Sequence, residues 1–332
     1  MDNPLKLYFI SINPENEVEK EFYITTIANL PDRFRVCGRP SEADLLILTG
    51  FSKQEHFGLI HKLPEVAKYQ EKTIIISEWD HPVELLPGFY SSGSQSSALR
   101  DVMDGWHFPF LNERFPNQNL QLSNQESQNK RNFLASFLGY PSHIIRIQLA
   151  KLFGQFPDMS IQVTKDYHHF EMNKDLAAKT RQQRYAELFR NSQFSLCPRG
   201  RGPSSMRLYD SMRFGVVPVV ISDEWVRPSF VDWESCSIQV KEKHLKHLHE
   251  ILIEHQGDCE KMGQAARAVY ENHFAEDRLA ITLESALRQL MSALKTHKKT
   301  TPWFALRTRL SRCITFKAVF YKAVIYNRLN NH

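Results

Sequence analysis

Three arginines and a run of small residues stand together in Cys197-Pro-Arg-Gly-Arg-Gly-Pro-Ser-Ser-Met-Arg207. The guanidinium groups of Arg199, Arg201 and Arg207 present forked donors that suit phosphate oxygens, and Gly200 and Gly202 let main-chain N–H groups approach a ligand closely. Pro203 followed by Ser204 and Ser205 signals the start of a helix, with serine expected to cap its free amides. Guanidinium groups, amides and the positive end of a helix dipole then converge on one spot, which is the chemistry of holding a diphosphate. Arg207 and Asp210 lie at i, i+3 on one helical face, where a carboxylate could accept hydrogen bonds from sugar hydroxyls.

The elements around this loop follow from the hydrophobic pattern. Phe194 to Cys197 reads as a buried strand that feeds the loop, and Gly215 closes the helix. Val216-Val-Pro-Val-Val-Ile221 is apolar throughout and reads as a strand buried on both faces. Strand, helix and strand in a right-handed parallel unit place their ligands at the carboxyl ends of the strands, and Asp223 falls at that end together with the arginine loop. Further strands are expected at Leu5–Ile10, Ala43–Leu48, Lys72–Ile76, Arg131–Gly139, Ser160–Thr164 and Ser237–Val240. Helical stretches alternate with them, among them Glu17–Leu30, a segment carrying Arg146 that ends near Phe156, Thr180–Asn191, Asp258–Phe274 and Asp277–Leu294. The alternation predicts α/β architecture with two parallel sheets. Glu78, Asp80 and His81 lie just beyond the carboxyl end of the third strand, although Asp-His-Pro is also ordinary turn chemistry. Arg146 is placed to reach a pyrophosphate, although surface solvation is the commoner state of a helical arginine. Residues 87–129 read as loop and linker, and Trp106-His-Phe-Pro-Phe110 within them reads as a buried plug or a sugar-stacking wall.

Cys197-Pro-Arg-Gly-x-Gly-x-Ser-Ser-x-Arg-Leu-Tyr-Asp210, followed by Phe214-Gly-Val-Val-Pro-Val-Val-Ile-Ser-Asp223, resembles the core of the exostosin domain of glycosyltransferase family 47. The resemblance is strong from Phe194 to Pro228 and fainter back to Arg131. It implies a GT-B fold, with two Rossmann-like parallel-sheet domains facing a cleft, and inverting transfer from a nucleotide sugar, mostly a UDP-sugar. The implied division is an acceptor-side domain over 1–125, a nucleotide-sugar domain over 126–275, a return helix over 276–300 and a basic amphipathic tail over 301–332. Nucleotide-sugar contacts are expected at Gly139, Arg146, Arg199, Arg201, Gly202, Ser204, Ser205, Arg207, Asp210 and Asp223. Asp210 stands where the family usually carries a glutamate. An inverting enzyme needs a base for the acceptor hydroxyl, and Asp80 is favoured, with His81 beside it. The acceptor is expected to be a glycan or a lipid-linked sugar. The alternative reading is a catalytically inactive exostosin-fold subunit that binds a partner transferase or a glycan.

Composition sets the remaining bounds. The chain has 332 residues, 42% hydrophobic and 24% charged, as in ordinary globular domains, and that length suits two of them. The net charge of +5 is uneven, because ten Lys and Arg and no acidic residue follow Glu284, which leaves the preceding part acidic. Cys37, Cys197, Cys236, Cys259 and Cys313 are odd in number and without C-x-x-C spacing, which points to reduced thiols in a cytoplasmic protein. The N-terminus shows no leader pattern and no apolar run is long enough to span a membrane. Eukaryotic members of the family usually carry a signal anchor, and this chain departs from them. No D-x-D occurs and His244, His247 and His249 do not share one helical face, so neither a metal nor any other cofactor is expected. Residues 301–329 combine basic residues with an imperfect apolar stripe, suited to contact with an anionic membrane surface or to packing on the body. No module for reading nucleic acid accompanies those basic residues.

Overall fold

A computed structural model of the chain describes residues 3–15, 17–120, 131–165 and 176–296. The basic tail over 301–329, Cys313 and the Tyr167-His168-His169 loop lie outside the described residues. In the first half, β1 (Leu5–Ser11), β2 (Phe34–Val36), β3 (Leu45–Thr49), β4 (Thr73–Ser77), β5 (Gly88–Tyr90) and β6 (Met103–Gly105) form a six-stranded sheet in the order β2-β1-β3-β4-β5-β6. Every pairing in it is parallel. Helices α1 (Val18–Ala28), α2 (Gln54–Phe57) and α3 (Pro64–Lys68) lie between strands, and α4 (Pro109–Arg114) follows β6. β3 and β4 are buried at every position, which is why their sequences carry no polar alternation.

The second half holds β7 (Phe133–Gly139), β8 (Met159–Val163), β9 (Ser192–Pro198), β10 (Val217–Ile221) and β11 (Ile238–Val240) in a parallel sheet ordered β11-β10-β9-β7-β8. Its helices are α5 (Ile144–Phe153), α6 (Leu176–Arg190), α7 (Met206–Arg213), α8 (Leu248–Glu254) and α9 (Cys259–Val269). α5 and α8 cover one face through Ile145, Leu149, Leu248 and Leu252. α6, α7 and α9 cover the other, with Tyr185, Phe189, Leu208, Met212 and Ala266. The last helix, α10 (Leu279–Thr296), returns to the first half, where Leu283, Leu287 and Leu290 join the core of Leu7, Phe9, Tyr23, Ile27, Ile47 and Ile76. Glu284 of α10 fastens that return by pairing with Arg33 at 2.6 Å, and Arg288 of the same helix braces the carboxylate at 2.9 Å.

The two α/β halves are the Rossmann-like pair of the GT-B arrangement, and each sheet reverses its strand order once, between β1 and β3 and between β7 and β9. Such reversals open crevices at the carboxyl ends of the strands. Those ends meet across a seam built from segments with the loop signature. Ser94 forms an antiparallel bridge with Trp225, and Gln95 N donates to Glu224 O at 3.0 Å. Asp104 accepts from Ser229 N at 2.9 Å and from Ser229 Oγ at 2.6 Å. Gly105 lies so close to the 226–228 main chain that a Cβ there would stand 2.7 Å from Pro228 N. Segment 106–110 is the plug and not a stacking wall: Trp106 is 1% exposed, and His107 is boxed by Trp106, Tyr209 and Phe274.

Candidate functional site

The arginine loop leaves β9 at the reversal of the second sheet, and its first link is a strand-like one, Arg199 N donating to Ile221 O at 3.1 Å. The main clamp on it comes from α5. Arg146 donates from Nε to Arg199 O at 3.0 Å, from Nη2 to Pro198 O at 3.1 Å and from Nη1 to Tyr140 O at 3.0 Å. One guanidinium therefore ties the ends of β7 and β9 across the crevice between them. Burial lowers its pKa to about 10, so it stays charged at neutral pH. A Cβ on Gly139, at the end of β7, would stand 2.8 Å from the Phe137 ring and 3.5 Å from Arg146 Nη1.

Ser205 takes the N-cap position of α7 with extended backbone, yet its hydroxyl makes no capping bond. The hydroxyl of Ser204 is buried and has no partner within the protein. The expected serine cap thus exists as a backbone conformation only, and the amides of the first turn are not closed by it.

Arg207 projects inward from this first turn and is 4% exposed. Its guanidinium lies over Phe189 at 4.4 Å, Tyr185 at 5.0 Å and Phe137 at 5.9 Å from the ring centroids, and Nη2 donates to Ser136 Oγ at 3.3 Å. Nε and Nη1 are buried without a hydrogen-bond partner. Asp210, one turn on, accepts from Tyr185 Oη at 2.8 Å. Tyr185 therefore supports the arginine with its ring and the aspartate with its hydroxyl. Tyr185, Phe189 and Ser136 went unread in the sequence; the signal available was the i, i+4 aromatic pair on the buried face of α6.

Arg199 pairs with Glu242 Oε1 at 3.6 Å, and its own Nε is buried and unpartnered. Asp223 is turned to the same carboxylate's segment: its Oδ1 accepts from Glu242 N at 3.1 Å. His143, at the N-cap of α5, accepts from Ile145 N at 3.3 Å, and burial with Arg199 nearby lowers its pKa, which keeps it neutral. Arg201 is exposed, and Gly202 presses on the first half. A Cβ on Gly202 would stand 2.8 Å from Asp80 O and would overlap the Ser92 hydroxyl, itself buried and unpartnered.

On the first half, Asp80 has a solvent-exposed face although protein walls it in elsewhere. That crowding raises its pKa, while Arg201, Arg146 and the Gly202 amide act in the opposite sense. His81 lies beside Trp79 with ring centroids 5.6 Å apart. Glu78 points away from the cleft: it accepts from Phe110 N at 3.0 Å and Leu111 N at 2.9 Å at the start of α4, and from Tyr23 Oη at 3.0 Å. Asp80, Gly139, Arg146, Arg199, Arg201, Gly202, Ser204, Ser205 and Arg207 thus gather where the carboxyl edges meet; Asp223 and Asp210 are held at its margins by Glu242 and Tyr185.

No group of three or more His, Cys, Asp or Glu among the described residues is arranged to hold a metal ion. His247 pairs with Glu250 and His249 with Asp158, so the histidine run is dispersed. No helix among the described residues is long and apolar enough to cross a membrane.

The profile of the Exostosin GT47 domain matches residues 77–254, just over half of the chain and all of the gathered site. The chain belongs to the exostosin family. This exostosin chain is 40% identical over 90 residues to an Exostosin-1 homolog of Caenorhabditis elegans, across 26% of its own length and 24% of that protein. It is 38% identical over 81 residues to a probable glucuronosyltransferase 47 A of Physcomitrium patens, across 23% and 18%. The exostosin chain therefore spans about a quarter or less of these relatives. Among solved structures, an α1,3-fucosyltransferase with GDP aligns at a TM-score of 0.43 and 15% identity, over 87% of this chain and 91% of that one.

Proposed function

We propose that this exostosin chain is a glycosyltransferase that moves a sugar from a nucleoside diphosphate donor, of the UDP class, to a glycan or lipid-linked acceptor with inversion at the anomeric carbon. The observation that carries this reading is Arg207: a guanidinium 4% exposed, with two donor nitrogens unpartnered, at the first turn of α7. Leaving such donors buried and unmade is expensive, and an anion received there offsets the cost. Arg199, Arg201 and the Ser204 hydroxyl surround the same turn, so charge growing on the departing diphosphate meets fixed donors without a divalent ion. In the displacement, the acceptor hydroxyl oxygen bonds to the anomeric carbon as the bond to the phosphate oxygen breaks. The hydroxyl proton passes to a base of the first half, for which Asp80, whose main chain lies against Gly202 of the arginine loop, is the candidate. Relatives are named as glucuronosyl- and xylosyltransferases, which agrees with this class of chemistry.

A second reading, an inactive subunit that binds a partner transferase or glycan, draws on the tight contact of Gly202 with Ser92 and Asp80 and on aspartate at position 210. Thermal-shift titration with UDP, GDP, CDP and ADP, with and without Mg²⁺, separates the two. The transferase reading expects stabilisation by UDP irrespective of Mg²⁺, lost in Arg201→Ala. Absence of a shift with every nucleotide contradicts it, and a shift that requires Mg²⁺ contradicts metal independence.

A further inference from the structure

Arg207 and Asp210 are opposite charges on α7, only 4% and 6% exposed, at the i, i+3 spacing that ordinarily gives an ion pair within a helix. No ion pair joins them. Arg207 Nη2 donates to Ser136 Oγ, and Nε and Nη1 have no partner. Asp210 Oδ2 instead takes the Tyr185 hydroxyl at 2.8 Å. The ring of that same Tyr185 lies 5.0 Å from the Arg207 guanidinium, with Phe189 at 4.4 Å one turn further along α6 and Phe137 of β7 at 5.9 Å. Opposite charges buried side by side attract strongly, so an arrangement that keeps them unpaired needs something to hold it.

We propose that Tyr185 is a positioning residue for the diphosphate: its hydroxyl holds the Asp210 carboxylate off Arg207, which keeps Nε and Nη1 of the guanidinium open for phosphate oxygens. This rests on the reading of the arginine turn as the nucleoside diphosphate site. A carboxylate turned to Arg207 would occupy the two nitrogens that a phosphate needs and would cancel the charge that draws it. The ring does the complementary part. Contacts with Tyr185, Phe189 and Phe137 stabilise the cation through their faces and use none of its N–H groups. The two parts are separable, because phenylalanine at position 185 keeps the ring and loses only the hydroxyl. Asp210, left buried without that hydroxyl, then has the unpartnered nitrogens of Arg207 as its outlet on the same helical face.

The test is calorimetric titration of the full chain with UDP and, separately, with inorganic pyrophosphate, which has no ribose for Asp210 to meet. Wild type is compared with Tyr185→Phe, Asp210→Asn and the double variant. Tyr185→Phe is expected to weaken pyrophosphate about tenfold or more, as the freed carboxylate turns to Arg207. Asp210→Asn is expected to bind pyrophosphate at least as tightly as wild type. Adding Asp210→Asn to Tyr185→Phe is expected to restore the affinity, a rescue that a merely structural hydroxyl would not show. Wild-type affinity in a folded Tyr185→Phe protein overturns the proposal, and so does a loss that persists in the double variant. Weaker pyrophosphate binding by Asp210→Asn overturns it as well, by making the carboxylate an aid to Arg207, and this arm stands even where Tyr185→Phe fails to fold. If wild type binds neither ligand, the diphosphate site itself fails and the proposal falls with it.

Discussion

Arg146 Nε donates to the main-chain carbonyl of Arg199 at 3.0 Å, so the helix after β7 holds the loop after β9 in shape. The two other carbonyls it serves, of Pro198 and Tyr140, lie on either side of the point where the second sheet reverses. Lysine has no planar fork and cannot serve three carbonyls in these directions. Arg146→Lys is expected to lower unfolding stability in urea by about 1–3 kcal/mol through the buried carbonyls it strands and to weaken UDP binding. Unchanged stability with full affinity would place the guanidinium outside the loop's support.

Gly202 is where the arginine loop packs against the first half. Gly202→Ala adds a methyl group 2.8 Å from Asp80 O and onto the Ser92 side chain, so the protein is expected to lose about 1–3 kcal/mol. Adding Ser92→Gly to Gly202→Ala removes one of the two clashes and restores part of the loss, which a double-mutant cycle measures directly. Strict additivity would mean that the two residues do not meet in solution.

The apolar strands, the glycine-closed helix and the arginine loop were legible because each is a local pattern of residue types. β2, β5 and β6 were not, since three-residue strands are too short to show a period. The Ser91–Ser97 run reads as loop, because serine, glycine and glutamine carry the same signature whether solvated or paired to a distant segment such as Trp225. Arg146 and Arg207 stand out in the sequence by residue type and position, but their surroundings are long-range. The three carbonyls on Arg146 and the aromatic cage around Arg207 come from segments up to about seventy residues away.

Glu19 and Glu78 form a buried acidic pair beneath the first sheet's carboxyl edge. Gly50 N donates to Glu19 Oε2 at 3.0 Å, while Glu19 Oε1 has no partner. Burial raises both pKa values, and the nearby Glu78 carboxylate raises that of Glu19 further. A carboxyl whose folded pKa exceeds its unfolded one holds its proton longer in the native state. Its contribution to stability is complete below the unfolded value of 4.5 and is lost as pH rises through the folded value. Denaturant melts of wild type should therefore lose stability from pH 5 towards pH 8, and Glu19→Gln should flatten that slope. A Glu19→Gln slope as steep as that of wild type would contradict the assignment.

His107 sets an opposite limb. Both ring nitrogens are buried without partners, and burial lowers its pKa to about 3. The unfolded chain binds the proton first, so stability is full above the ordinary value of 6.5 and falls as pH drops towards 3. His107→Phe keeps an aromatic ring between Tyr209 and Phe274 and is expected to remove this acid loss while leaving pH 7.5 stability equal or higher. Lower stability at pH 7.5, with acid sensitivity intact, would show that the imidazole makes a polar contact in solution.

The hold of the arginine turn on a diphosphate is tested most directly by a crystal structure with UDP, grown in the presence of EDTA. The β-phosphate is expected within hydrogen-bond distance of Arg207 Nε or Nη1 and of the first amides of α7, with Arg199 and Arg201 around it. Phosphates found away from this turn, or UDP that enters only when a divalent ion bridges it to the protein, would contradict that hold.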